Sequence, residues 1–330
     1  MSKKLNQKLH LAKNIFTGPD QVPQRNGYGE GVVEAGKKNE NVVVLCCDLT
    51  ESTRSAEFVE TFPERFVEMG ISEQNMAGIA AGMAFSGKIP YISSYAVFSP
   101  GRNWDQTRVS ICYSMANVKI MGAHAGISVG PDGATHQALE DIAITRCLPN
   151  MTVIVPCDYF EAKRAAIAIS EINGPVYMRF GREKVPVITT EKTPFKIGRA
   201  ETYTEGKDVA IIACGSLVYE ALVAAEELAK DGVDCKVINS HTVKPIDRKT
   251  IIKAAEETGA VVTAEEHQVH GGLGSAVAEV LAQECPVPVE YVAVMDRFGE
   301  SGQPDELMKK FGLSADGIKT AVKKVLKRKN

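Results

Sequence analysis

The chain reads as an α/β protein built from two tandem open domains with mainly parallel sheets. From about residue 41 onward, short apolar runs alternate with segments of helical period, the pattern of β-α units around a parallel sheet. The alternation breaks once, at 184–207 (KVPVITTEKTPFKIGRAETYTEGK), where prolines, threonines and mixed charges mark the best linker candidate. A length of 330 residues suits two domains of roughly 100–200 residues each. A first domain over 1–190 and a second over 191–330 follow from these observations.

In the first domain, VVVLCCDL (42–49) is a buried strand and RFVEMG (65–70) the next, followed by the helix of SEQNMAGIAAGMAF, which starts near Ser72. IPYISSYAVF, VKIMGAHAG, MTVIVPCD and GPVYMRFGR continue the strands, with helices such as FEAKRAAIAIS between them. Past the linker the series resumes with DVAIIACGS, the helix VYEALVAAEELAKDG and VDCKVINSHTV. It runs on through RKTIIKAAEETG, AVVTAEEHQ, GGLGSAVAEVLAQE and PVEYVAVMD, and the terminal AVKKVLKRKN reads as a solvated helix face.

With 38 basic and 41 acidic side chains the net charge is −3, without the basic excess that a nucleic-acid binder carries. The 44% hydrophobic and 24% charged fractions are ordinary globular values and argue against disorder. No apolar run reaches the ~18–20 residues that would span a bilayer, and the N-terminal MSKKLNQKLHLAKNIFTG has no apolar core or cleavage site of a signal peptide. The expectation is a cytoplasmic soluble protein without nucleic-acid or membrane partners. The cysteines contain no C-x-x-C pair and sit mostly in apolar segments, so they read as reduced and structural.

In EMGISEQNMAGIAAGMAFSG, Glu73 falls in the first turn of a helix, where the dipole and free backbone N–H groups favour a carboxylate. Taken alone, the segment makes Glu73 a helix-start acid. Ala77, Gly78, Ala80, Ala81, Gly82 and Ala84 leave the helix small-faced, which implies tight packing on a neighbouring helix or subunit. Tyr91, Tyr95 and Phe98 in PYISSYAVFSPGRNWDQ lie just past a strand, where open α/β sheets place ligands, with a core role as the alternative. In GAHAGISVGPDGATHQALED, glycines break the chain around His124, Asp132 and His136, so this is either a loop that presents donors to a polar substrate or a structural turn. Its His-x7-Asp-x3-His spacing fits no compact zinc motif. Arg25, Arg179 and Arg182 form a cationic set that suits phosphate only in combination. GGLGS lacks both the full G-x-G-x-x-G pattern and a Walker lysine, which makes it a tight turn into a packed helix.

Taken in order, GISEQNMAGIAAGMA, the SSYAVF strand end, HAGISVGPDGATHQALED and GPVYMRFGRE resemble transketolase. The resemblance covers essentially the whole chain but only the C-terminal half of a full-length transketolase, namely the pyrimidine-binding domain and the small C-terminal domain. It implies the C-terminal subunit of a split transketolase, a transferase of two-carbon ketol units between sugar phosphates in the pentose phosphate pathway, dependent on thiamine diphosphate. By the resemblance, Glu73 matches the glutamate that hydrogen-bonds the pyrimidine ring nitrogen, and Tyr95 and Phe98 match aromatics around that ring, with Gly101 where the family has a further aromatic. His124, Arg182, Arg25 and Ser52 match residues that grip the sugar phosphate. Asp132 matches the residue that reads a donor hydroxyl, and His136 a histidine near the transferred unit that serves as a proton relay.

The family holds the diphosphate and its divalent metal through a GDG…N motif in an N-terminal domain, and this sequence has no such segment. The resemblance therefore implies no metal ligands in this chain. It implies thiamine diphosphate shared with an N-terminal transketolase subunit, Mg²⁺ or another divalent cation held by that subunit, self-association through the pyrimidine domain, and a heterotetramer of two of each chain. The beta subunit of a 2-oxo acid dehydrogenase and deoxyxylulose phosphate synthase share the domain pair, but the HxGIxVGxDGxTHQ pattern favours the sugar enzyme. An orphan binding or regulatory module is the non-enzymatic alternative, and the retained Glu73, His124 and His136 count against it.

Overall fold

Strand sequences buried on both faces dictate the architecture of the computed structural model, which describes residues 5–329. The first half contributes β1 (Gln21–Pro23), β2 (Val42–Cys46), β3 (Phe66–Glu68), β4 (Ile89–Ser94), β5 (Lys119–Ala123), β6 (Thr152–Ile154), β7 (Val176–Phe180) and β8 (Lys184–Pro186). The second contributes β9 (Glu201–Thr204), β10 (Val209–Ala213), β11 (Cys235–Asn239), β12 (Thr242–Lys244), β13 (Val261–Gln268) and β14 (Val289–Val294). Every residue of β2, β5, β7, β10 and β11 is buried, as expected of parallel strands covered by helices on both sides.

The larger sheet has seven strands in the order β12-β6-β7-β5-β4-β2-β3. Its first-half strands pair in parallel. The edge strand β12 comes from the second half and pairs antiparallel with β6, so the two units share a sheet. The smaller sheet has five strands in the order β14-β13-β10-β11-β9, parallel except for β9.

Three departures from the sequence reading have physical causes. The segment 184–207 is not a bare linker, because β8 pairs antiparallel with β1 and β9 forms the edge of the second sheet. Residues near the N-terminus pack on the second unit: Leu9 and Ile15 join its core, and Asn6 N–H donates to the Tyr203 carbonyl at 2.8 Å. The helix Ala315–Leu326 has lysines on its open face, but it also buries Ile318, Ala321, Val322 and Val325 and so closes the second core.

Candidate active site

The functional candidates gather at the carboxyl ends of the parallel strands, where open α/β sheets form their ligand crevice. Ser52 follows β2, Glu73 follows β3, Tyr95 follows β4, His124 follows β5 and Arg182 follows β7, while Arg25 stands in the first turn of the helix Gln24–Lys38.

Glu73 opens the helix Glu73–Phe85 and is 1% exposed, a burial that requires partners for a carboxylate. Ser94 Oγ donates to its Oε1 at 3.1 Å and Arg102 Nη1 to its Oε2 at 2.6 Å. Asn103 Nδ2 donates to its backbone carbonyl at 3.2 Å. Arg102 also lies 4.4 Å from the centroid of the Phe98 ring and keeps 44% of its side chain exposed, so one partner of the buried acid faces the crevice. Arg102, Ser94 and Asn103 escaped the sequence reading. For Arg102 the signal was its place in the same strand-end segment as Tyr95 and Phe98.

Tyr95 and Phe98 stack with centroids 6.2 Å apart and an interplanar angle of 4°. His136 stands edge-on to both, 5.8 Å and 5.5 Å away, and its Nδ1 shares a 2.9 Å hydrogen bond with Thr135 Oγ1. His124 stands edge-on to Tyr95 at 5.0 Å. Ser52 Oγ bridges the Tyr95 hydroxyl at 3.2 Å and His124 Nε2 at 3.3 Å. Both loop histidines therefore contact the aromatic pair.

The phosphate-grip candidates also converge. Arg25 Nη1 donates to the Ser52 carbonyl at 3.1 Å, and Arg182 Nη1 donates to Asp132 Oδ2 at 3.1 Å. Burial, then Arg54 and Arg182, lower the proton affinity of Arg25. Burial first, then Arg25 and Arg182, push the His124 imidazole down to about 3, so it is neutral at physiological pH. Arg25 Nε and His124 Nδ1 are buried without a hydrogen-bond partner. Such atoms cost free energy unless a polar group completes them, and clustered cations with orphaned polar atoms suit an anionic ligand. Arg54, whose Nε donates to Asn26 Oδ1 at 3.0 Å, is a further cation at this end that the sequence reading missed.

Other candidates lie apart. Arg179 is locked in the core: its Nε donates to Asp141 Oδ2 at 2.8 Å and its Nη2 to the Glu266 carbonyl at 2.6 Å. Tyr91 is fully buried and donates to the Ala166 carbonyl. The helix Leu273–Glu284, which begins within GGLGS, has its first N–H groups, those of Leu273 and Gly274, capped by Glu265 at 2.7 Å each, so the chain's own carboxylate fills that terminus.

This crevice combines a buried acid, stacked aromatics and a basic rim, a set suited to an enzyme that binds a cofactor and an anionic substrate. The chain belongs to the transketolase family: residues 20–187 match the model for the transketolase pyrimidine binding domain and 198–318 that for the transketolase C-terminal domain. Among its relatives, a 6-deoxy-6-sulfo-D-fructose transketolase subunit of a Clostridium species is 43% identical, with 93% of this chain and 95% of the relative covered. An apulose-4-phosphate transketolase subunit of Phocaeicola vulgatus is 37% identical, covering 93% and 99% respectively. A solved split-gene transketolase, described as an inactive β4 tetramer, superposes with a TM-score of 0.88 at 48% identity, over 94% of this chain and 100% of that one. Within the family, the chain is a C-terminal section in which the pyrimidine-binding domain precedes the C-terminal domain.

Proposed function

We propose that this chain is the C-terminal subunit of a two-chain, thiamine diphosphate-dependent transketolase and that Glu73 carries its catalysis. The observation that carries the reading is the 1% exposed Glu73 carboxylate, joined to the Tyr95–Phe98 stack by Arg102, which donates to Glu73 and lies over the Phe98 ring. A buried carboxylate flanked by aromatic faces fits an aminopyrimidine, which offers a ring nitrogen to the acid and a flat π-surface to the rings. When bound, thiamine diphosphate supplies the carbon nucleophile for ketol transfer.

With the cofactor bound, Glu73 would hydrogen-bond the pyrimidine ring nitrogen and hold the proton shared with it, while Arg102, which donates to Oε2 at 2.6 Å, is the charged partner of that carboxylate. Ser94 keeps the other carboxylate oxygen oriented. Tyr95 and Phe98 exclude water from the ring's flank. His136, edge-on to both rings, relays protons at the transferred two-carbon unit, while Asp132 reads a donor hydroxyl. Arg25, Ser52, His124 and Arg182 grip the far phosphate of the sugar. The same cluster suits any tetrahedral terminal anion, phosphate or sulfonate.

The diphosphate and its divalent cation, Mg²⁺ in our reading, fall to an N-terminal subunit. The sequence has no GDG…N segment, and among the described residues no group of three His, Cys, Asp or Glu side chains is placed to hold a metal. The helix Glu73–Phe85 presents a face for assembly. Ile71, Ile79 and Phe85 are exposed, as are Tyr113 and Met115 at the end of the segment Thr107–Tyr113 that packs on this helix, and a Cβ at Gly78 or Gly82 would meet nothing within 4 Å. Self-association through this pyrimidine-domain face, with two of each chain, gives the heterotetramer. We place the enzyme in the cytoplasm and in pentose phosphate metabolism. Among the described residues no helix is long and apolar enough to cross a membrane, and the cysteines are free.

The test is two-carbon transfer from xylulose 5-phosphate, and from 6-deoxy-6-sulfofructose, to ribose 5-phosphate by the copurified two-chain complex with thiamine diphosphate and Mg²⁺. Transfer from either donor supports the reading. A well-assembled complex inactive on every phosphorylated or sulfonated ketose would sink it.

A further inference from the structure

The substrate loop is held from the second domain. Its residues Ile127–Asp132 form a kinked turn, with Gly130 at φ 80°, ψ −121°, and no sheet ladder supports it beyond the single Ala125–Ala138 bridge. Two buried side chains fix it instead. Glu266, in β13, accepts the Ser128 N–H at Oε1 over 2.7 Å and the Ser216 hydroxyl at Oε2 over 3.3 Å. Gln137, 3% exposed, donates through Nε2 to the Ile127 carbonyl at 3.2 Å, the Gly130 carbonyl at 3.2 Å and the Glu300 carbonyl at 2.9 Å. One amide thus joins two points of the loop to the segment that follows β14.

The loop glycines are shaped to this clamp. Gly126, at φ +93°, sits so close to the Glu266 carboxylate that a Cβ would collide with it, and a Cβ on Gly299 would collide with Gln137. Gly130 faces Pro304 and Gly133 faces Ser301, both from the second domain. Arg179 adds a 2.6 Å bond to the Glu266 carbonyl, which anchors the clamp to the first sheet.

We infer that Glu266 and Gln137 are positioning residues through which the C-terminal domain sets the discrimination among ketose donors. They fix the loop that carries Asp132 and His136 and touch no substrate themselves. The inference rests on the transketolase reading, in which Asp132 reads a donor hydroxyl. Asp132 and His136 flank the turn that Gln137 ties down, and a reading group displaced by about 1 Å loses much of its selectivity.

The test uses Glu266→Ala, Glu266→Gln and Gln137→Met. In the single chain, hydrogen exchange at the Ser128 amide should speed up about tenfold or more in Glu266→Ala and return toward wild type in Glu266→Gln, which keeps an acceptor oxygen. In the two-chain enzyme, kcat/KM is compared for two ketose phosphate donors that differ only in the configuration of the hydroxyl facing Asp132. The wild-type ratio should fall about fivefold or more in Glu266→Ala and Gln137→Met, with assembly and thiamine diphosphate affinity retained, and Glu266→Gln should restore most of it. A purely structural role would lower both donors alike and leave the ratio unchanged. An unchanged ratio in assembled variants of an active enzyme, or unchanged exchange at Ser128, overturns this inference alone. A wild-type complex without any transfer activity overturns the transketolase reading and the donor role with it.

Discussion

Replacing His124 with asparagine should flatten the loss of stability that acid imposes on this chain. The folded imidazole is pushed down to about 3 from its ordinary 6.5 by burial and by Arg25 and Arg182. A histidine whose folded pKa lies below its unfolded value binds fewer protons when folded. Its stabilisation is therefore intact above pH 6.5 and drains away as the pH falls from there toward 3. At pH 5 the unfolded imidazole is almost fully protonated and the folded one almost wholly neutral, so the group costs roughly 2 kcal/mol relative to pH 7. Urea unfolding at fixed chain concentration, at both pH values, measures this as a larger drop in wild type than in His124→Asn. His241, also pushed down to about 3 by burial, acts in the same direction but is common to both proteins and cancels. Equal drops in the two proteins would refute the neutral, desolvated His124 between Ser52 and Tyr95. Saturating inorganic phosphate should shrink the difference, because an anion beside the imidazole favours its charged form.

Glu73→Gln should lower kcat of the two-chain enzyme at least ~100-fold with assembly unchanged by sedimentation; full activity would remove Glu73 from its role. Asp132→Ala should reduce kcat/KM by ~1–3 kcal/mol in transition-state terms for donors with the matching hydroxyl and much less for the others, measured by paired donor kinetics. A Cβ at Gly78 meets nothing within 4 Å in the single chain, so Gly78→Leu replaces a poor helix former on an open face. The chain should thus fold at least as stably, by thermal unfolding, while losing self-association in size-exclusion chromatography. Unaltered assembly would place the interface elsewhere.

The parallel strands were legible because their burial on both faces writes continuous apolar runs such as VVVLC and VAIIA. The helix Gln24–Lys38 was not, since Gly27, Gly29, Gly31 and Gly36 lower its propensity. Those glycines serve tertiary contact instead: a Cβ on Gly31 would lie 2.6 Å from the Lys163 carbonyl, so the helix packs against Tyr159–Ala168 with its backbone. The strands β8 and β9 hid in the proline- and threonine-rich stretch because short edge strands carry little periodic signal. At the site, Glu73 alone looked like an ordinary helix-start acid. Its proposed role came from the order of motifs along the chain, and in the structure it bonds Ser94 and Arg102, the latter lying over Phe98. As a residue type Arg179 joined Arg182 in the cationic set, and only the resemblance singled out Arg182. The chain leaves β7 after Phe180, which frees Arg182 to reach Asp132 while Arg179 stays paired in the core.

Titration of a purified N-terminal partner into this chain, with thiamine diphosphate, Mg²⁺ and a ketose phosphate donor and aldose phosphate acceptor present throughout, tests the shared site most directly. Two-carbon transfer should be at background without the partner and rise to saturation at one partner per chain. Transfer by this chain alone, or none at any ratio despite a stable complex, would contradict an active site completed across the interface.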